Sequence, residues 1–460
     1  MSQISSPQPR IGVLVLAAGK GVRMHSDKPK VLQRLLGEPL IRFVVDALRP
    51  LFAKDLWLVL GHQAAMVRAC LAEDDLNFVE QTQQLGTGHA LMTALPALLE
   101  AGCTHALVIN GDTPLVSRGL LESFVQQARG ADLAFASIRL DEPGAYGSVL
   151  RQNGKLRAIV EAKDYSEALH GPLSGEVNAG LYYLRLALAQ ELGPSLSCDN
   201  KSGEYYITEL VALALDAGYE VRGIECGREP TLLGINSPVE LAWSEEFLRA
   251  RRVNELLQAG VLVHAPETVR VGPYAQIAPG AELTGPCEIY GASRVERGAS
   301  IESHCVLRNA IIESGAQLRS FCHIEDAQVG EKCTVGPFAR LRPGALLEEA
   351  AHVGNFVEIK KARLRRGAKA NHLTYIGDAD VGERSNIGAG TITCNYDGTN
   401  KHKTVIGAGA FIGSNTALVA PVRVGEGCLV GAGSVITSDV PDGEMGIARG
   451  RQRNLPRRKK

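Results

Sequence analysis

Between Arg10 and about Gly234, short runs of branched apolar residues alternate with longer stretches of helical periodicity. The runs are Ile11 to Leu16, Asp55 to Leu60, Ala106 to Asn110 and Leu133 to Ile138, and a helix over Thr208 to Ala217 is stopped by Gly218. This alternation predicts an α/β domain on a largely parallel sheet, with ligands at the carboxyl ends of its strands. At Ser237 several helix-start signals coincide: Ser237 as N-cap, Pro238 at the first helical position and Glu240 three residues after the cap. The helix they open closes at Gly260 and reads as a connecting arm roughly 30 Å long.

Beyond Val261 an apolar residue recurs at every sixth position. One register holds Val271, Ile277, Leu283, Ile289, Val295 and Ile301; a second holds Val329, Val335, Leu341, Leu347, Val353 and Ile359; a third holds Ile406, Ile412, Leu418, Val424, Val430 and Ile436. A period of six fits neither a helix nor a hairpin. With glycine following many of these residues, as in Val329-Gly330, Ile412-Gly413 and Val430-Gly431, it is the hexapeptide signature of a parallel β-helix. The expected division is an α/β domain over 1–236, a connecting helix over 237–260 and an all-β domain over 261–460.

Composition sharpens this picture. At 460 residues the chain exceeds what one hydrophobic core supports. Its 50 glycines and its aromatic content of only 5% follow from a narrow prism with tight corners and little room for rings. A net charge of -1 excludes a general nucleic-acid or membrane binder and leaves small molecules as partners. Ten cysteines without a CxxC pair suggest neither a zinc cage nor a disulfide framework. The N-terminus lacks a basic segment followed by an apolar one, and no apolar run approaches membrane-spanning length. A soluble protein of the reducing cytoplasm is expected.

Chemistry concentrates at a few places. The first strand runs into Leu16-Ala17-Ala18-Gly19-Lys20-Gly21-Val22-Arg23-Met24 and then Asp27-Lys28-Pro29-Lys30. Small residues after a strand admit phosphates close to backbone N–H groups, and Lys20, Arg23 and Lys30 add charge. The loop is neither a Walker A nor GxGxxG, because Met24 takes the third glycine position. The strand ending at Asn110 continues as Gly111-Asp112-Thr113-Pro114, which sets a carboxylate at the ligand crevice, although Gly-Asp alone also reads as a plain turn. In the second half, a polar insertion from Thr391 to Lys403 breaks the six-residue period, and Ala370-Asn371-His372-Leu373-Thr374-Tyr375 precedes it. His372 is the candidate base, since an imidazole titrates near neutrality. A lone histidine is more often an ordinary surface residue, so its setting carries the argument.

These motifs resemble those of the sugar-phosphate nucleotidyltransferases. With the second half included, nearly the whole chain is similar to the bifunctional N-acetylglucosamine-1-phosphate uridyltransferase/glucosamine-1-phosphate N-acetyltransferases. The resemblance implies a Rossmann-like N-terminal domain followed by a left-handed parallel β-helix of hexapeptide repeats. It places the uracil nucleotide on Leu16, Ala17, Ala18, Gly19 and Gln81, with Gly86 and Thr87 at the base and Lys30 on phosphate. It further implies Mg²⁺ on Asp112 and Asn236, beside Asn110 and Gly111, and the sugar on Gly147, Glu161 and Asn178. In the β-helix, Arg342, Lys360, Tyr375 and Asn386 are expected to hold the phosphorylated amino sugar. Ala389, Asn395, Tyr396, Ser414, Ala432 and Arg449 are expected to line the acetyl-CoA site, with Glu358 orienting His372. Val22 departs from the family's usual Thr, and Asn110 from its frequent Tyr. The implied substrates are glucosamine-1-phosphate with acetyl-CoA, then N-acetylglucosamine-1-phosphate with UTP, and the implied assembly is a homotrimer. The basic tail after Arg449 reads as a solvated terminus. The competing reading is a single-activity nucleotidyltransferase whose β-helix only oligomerises.

Overall fold

The computed structural model describes residues 9–72, 74–227 and 230–456. The extreme N-terminal reading, the side chain of Val22 and the last four residues of the basic tail lie outside the described residues. The chain forms two compact units, Met1–Glu245 and Glu246–Lys460.

The first unit is built on β1 (Ile11–Ala17), β2 (Leu56–Leu60), β3 (Asn77–Glu80), β4 (His105–Asn110), β5 (Leu133–Arg139), β6 (Ser148–Gln152), β7 (Lys155–Val160), β8 (Glu176–Arg185) and β9 (Val221–Glu225). Its central order is β9-β5-β8-β4-β1-β2-β3. Strands β1, β2, β3 and β4 run parallel, whereas β8 lies antiparallel between β4 and β5. The sheet is therefore mixed, and less parallel than the pattern of runs predicted. After β5 the chain returns through the β6–β7 hairpin rather than a crossover helix, and a hairpin return reverses direction. β1 sends Val13 and Val15 into one core and Leu14 into the other. Helices Leu40–Phe52 and Arg118–Ala128 cover the first face, and Thr87–Glu100, Leu186–Leu192 and Glu209–Asp216 cover the second. Burial on both faces explains why these strands read as continuous apolar runs.

The helix announced at Ser237 spans Pro238–Gln258. Ser237 Oγ accepts from Glu240 N at 3.2 Å, and the Glu240 carboxylate accepts from Asn236 N at 2.5 Å. This is a capping box reaching one residue further back than the usual arrangement. The two compact units divide inside this helix. Its second half belongs to the β-helix, for Val253 and Leu256 join that core, while Arg249 and Arg252 donate to the carbonyls of Pro266 at 2.6 Å and Ala275 at 2.7 Å.

The second unit winds through three parallel sheets of 11, 10 and 9 strands, in which every third strand pairs, as a left-handed β-helix. All eighteen residues of the three six-residue registers point into one continuous core. Between the registers the step shortens: Gln276 pairs with Arg294 eighteen residues on, but Arg294 pairs with Ile311 seventeen on. Leu307 extends the first register by one step, and Ile312, Leu318 and Ile324 fill the rungs after the shortened corner, which the strict period passed over. At the insertion, Ala379 pairs with Thr404, so one coil takes up the polar loop while the core continues. The outer edge carries a stack of His304, Phe321, Phe338 and Phe356, with successive ring centroids 4.5, 4.8 and 5.3 Å apart.

Candidate active sites

A cleft of about 670 Å³ opens at the carboxyl ends of β1 and β4, the neighbouring strands whose chain connections lead away to opposite sides. Leu16, Ala17, Ala18, Gly19, Lys30, Gln81, Gly86, Thr87, Asn110, Asp112, Gly147, Glu161, Asn178 and Asn236 all line it. Gly111 does not: it sits beneath the floor, its N–H on Leu16 O at 2.8 Å. Gln81 is 2% exposed, and its amide Nε2 bonds Gly86 O at 3.1 Å and His89 Nδ1 at 2.8 Å, which braces the loop leading from Gln81 into the helix at Thr87. Gly86 has φ +105°, and a Cβ there would meet Tyr205 O at 2.5 Å, so the turn requires glycine. Thr87 Oγ accepts from Ile207 N at 3.0 Å, which makes this residue a brace of the loop.

The charged centre lies between Lys30, Asp112 and Asn236. The Lys30 ammonium pairs with Asp112 Oδ2 and donates to Asn236 Oδ1 at 3.0 Å, and Arg23 donates to the same amide oxygen at 3.1 Å. Asp112 is 7% exposed, and its Oδ1 has no hydrogen-bond partner. A Cβ on Gly234 would meet that oxygen at 2.7 Å, so glycine keeps the space open. Asn236 is held by the helix cap through Glu240, and Ile235 N donates to Asp112 O at 2.9 Å. One carboxylate oxygen and an amide oxygen on a shared cation, with the second carboxylate oxygen unpartnered beside them, are a donor set that suits a hard divalent metal.

At the part of the cleft lined by Gly147, Glu161 and Asn178, Asn178 N donates to Gly147 O at 2.8 Å. Burial pushes Glu161 above the usual carboxylate range, opposed by the hydroxyl of Thr208 donating at 3.0 Å. Burial also pushes the Tyr146 phenol up to about 12. Tyr146 and Thr208 are site residues that sequence reasoning missed; the Ala145-Tyr146-Gly147 triplet offered the only signal for either.

In the β-helix one column organises the other candidates. Asn355 pairs directly with His372 on adjacent coils. Each stands two residues beyond a core residue, Val353 and Ala370, and the register continues through Ile387, Ile412 and Val430. Ala389, Ser414 and Ala432 therefore share the column of His372, and Arg449 reaches it by donating to Ala432 O at 2.7 Å. Asn395, 8% exposed, donates to Asp378 at 2.5 Å. Tyr396 is exposed in a loop built on Asp397, which accepts from Thr399 N, Asn400 N and His402 Nε2. These bonds, that from Asn400 foremost, hold the Asp397 carboxyl down at about 2.

Arg342, Lys360 and Tyr375 lie on the neighbouring sheet. The Lys401 ammonium, followed by burial and then Arg342, presses the Lys360 ammonium below its ordinary range. Asn386 stands on the sheet of His372, so a single chain divides the four expected sugar-phosphate residues between two faces. Glu358 does not meet His372. Its carboxylate takes Arg342 at 2.8 Å, and the imidazole is held instead by Asn355, with Nδ1 2.9 Å from Oδ1.

The fold and clefts define a nucleotidyltransferase joined to a hexapeptide-repeat transferase. Residues 13–169 match the MobA-like NTP transferase domain, and residues 403–438 match the bacterial transferase hexapeptide, six repeats. The chain is 62% identical to the bifunctional protein GlmU of Nitratidesulfovibrio vulgaris strain DP4 over 98% of this chain and 99% of that one. It is 50% identical to that of Lawsonia intracellularis over 97% and 98%, and 43% identical to that of Acinetobacter baumannii strain ACICU over 96% of both. The chain belongs to the bifunctional GlmU family and is a uridyltransferase and an acetyltransferase. The single-activity alternative falls with this match along both halves.

Proposed function

We propose that uridyl transfer from UTP to N-acetylglucosamine-1-phosphate runs in the N-terminal cleft, and acetyl transfer from acetyl-CoA to glucosamine-1-phosphate at the His372 column. The observation that carries the first assignment is the Lys30 ammonium bridging Asp112 and Asn236 beside the unpartnered Asp112 Oδ1. Asp112 and Asn236 would hold Mg²⁺, which would supply positive charge to offset that of the nucleotide phosphates. Lys30 and Arg23 then face phosphate oxygens, and Gln81 with the Leu16 to Gly19 backbone seats the base. Glu161, Asn178 and Gly147 orient the sugar so that its phosphate oxygen attacks in line. Positioning and charge suffice, and no protein base is required.

In the β-helix, the sugar amine attacks the thioester carbonyl and His372 Nε2 takes its proton. The N–C bond forms, the C–S bond breaks, and the proton passes to the departing sulfur. Arg342, Lys360 and Tyr375 grip the sugar phosphate, while Ala389, Asn395, Tyr396, Ser414, Ala432 and Arg449 seat acetyl-CoA. A homotrimer completes this site. Asn386 and the Arg342 group lie on different faces of one prism, and Phe338, Phe356 and Leu373, at 46, 55 and 63% exposure, leave an apolar edge for a neighbour. Ten free cysteines suit the cytoplasm, and among the described residues no helix is long and apolar enough to cross a membrane. Product analysis with glucosamine-1-phosphate, acetyl-CoA, UTP and Mg²⁺ tests the scheme. Omitting acetyl-CoA should stop both products, whereas omitting UTP or Mg²⁺ should leave the acetylated sugar phosphate to accumulate. Nucleotide sugar formed without acetyl-CoA would contradict it.

A further inference from the structure

We propose that Asn355 is the positioning residue for acetyl transfer: its side-chain carbonyl fixes the tautomer of His372 so that Nε2 is left as the proton acceptor. The inference rests on His372 being the base. Oδ1 carries only lone pairs, so the imidazole nitrogen 2.9 Å from it must be the one that bears hydrogen. The other nitrogen then keeps its lone pair for the amine.

The same residue also fixes the backbone beside the imidazole. Asn355 O accepts from Leu373 N at 3.1 Å, while His372 O accepts from Thr374 Oγ at 2.7 Å. Next to Asn355, Phe356 stacks on Phe338, and Phe356 N donates to Phe338 O at 3.0 Å. Asn355 thus rides on a rigid coil and holds both the His372 ring and the backbone N–H of Leu373 next to it, as a pre-organised base requires.

The chemistry also explains a neutral partner. A carboxylate against Nδ1 would favour the imidazolium and keep the base protonated, whereas an amide fixes the tautomer without stabilising that charge. The surroundings agree. On its own strand and the two paired with it, the titratable neighbours of His372 are Lys369 and His352, whose charged forms disfavour a further cation. Across the corner, Glu358 is taken by Arg342. Thus Asn355 is the polar side chain bonded to this ring, and it brings no charge.

The test compares full-length Asn355→Ala, Asn355→Asp and His372→Ala in steady-state acetyl transfer from about pH 5.5 to 9.5, with uridyl transfer and thermal melting as controls. Asn355→Ala should lower the acetyl-transfer kcat roughly ten- to a hundredfold, part of the 10²–10⁴ a positioned base contributes, with KM values changed less than about threefold. Uridyl transfer should be unchanged. Asn355→Asp, which restores an acceptor, should recover most of the rate with the acid limb of the pH profile displaced upward by about one unit. If His372→Ala is inactive while Asn355→Ala keeps native kcat and acid limb, the positioning role is overturned and the base stands. If His372→Ala itself stays near native, the base assignment fails first. Should Asn355→Ala not fold, the isosteric Asp variant decides: an unmoved acid limb overturns the proposal.

Discussion

Replacing Lys30 by Met removes the only ammonium that bridges Asp112 and Asn236 in the described cleft. The Asp112 carboxylate, with side-chain exposure of 10%, then faces the cleft with one oxygen unpartnered and the other stripped of its cation. Removing one partner of a fully buried pair costs about 3–5 kcal/mol; here the cleft admits water and Arg23 stays close, so about 1–3 kcal/mol is expected. For a unit of this size that lowers Tm by roughly 3–10 °C in EDTA. Divalent metal should then recover the loss, because the oxygens that Lys30 occupied become free. A metal at a hundred times its Kd adds about 2.7 kcal/mol. In the parent enzyme the same metal must first displace the ammonium, so without nucleotide its gain should be smaller. The assay is thermal melting of both proteins in EDTA, Mg²⁺ and Mn²⁺ with no nucleotide present. A variant that melts like the parent in EDTA, or gains no more from Mn²⁺ than the parent does, would refute the reasoning.

Gly234→Ala places a methyl 2.7 Å from Asp112 Oδ1, so uridyl transfer should fall at least tenfold while acetyl transfer holds; equal rates in both assays would show that the carboxylate has room to move. Glu161 has its folded pKa raised by burial, so its contribution to stability is greatest in acid and is lost as pH rises through that pKa. Glu161→Gln keeps an acceptor for Thr208 and should therefore gain in Tm on the parent between about pH 4 and pH 7, while its sugar-phosphate KM rises; a pH-independent difference in Tm would contradict this. Asp397→Ala removes the acceptor of three loop bonds, so KM for acetyl-CoA should rise several-fold with uridyl transfer intact, and an unchanged KM would separate the loop from the coenzyme.

The three registers could be read directly because a parallel β-helix admits one inward residue per short strand, and all eighteen of those residues are in the core. The intervening rungs escaped because a corner can shorten by one residue without disturbing the stack, as between Arg294 and Ile311. The nucleotide loop was legible since Leu16 to Lys30 is contiguous and ends a strand. Thr208 and Tyr146 were not, because they reach the cleft from distant elements through contacts that no local spacing encodes. Glu358 was expected on His372 from the resemblance alone. Sequence does not show that strand pairing puts Asn355 directly across from it while Arg342 claims the carboxylate. The capping box was readable as residue types, but its reach to Asn236, which ties the helix start to the charged centre, required the backbone path.

The central claim is that two chemistries run on separate sets of residues in one chain. Both activities should be measured in the same preparations of Asp112→Ala and His372→Ala, with acetyl transfer followed by thiol release and uridyl transfer by pyrophosphate release from supplied N-acetylglucosamine-1-phosphate. Asp112→Ala should lose uridyl transfer and keep acetyl transfer. His372→Ala should lose about 10²–10⁴ in acetyl-transfer kcat and keep uridyl transfer. Loss of both activities in either variant, or full Mg²⁺-dependent uridyl transfer by Asp112→Ala, would contradict the account.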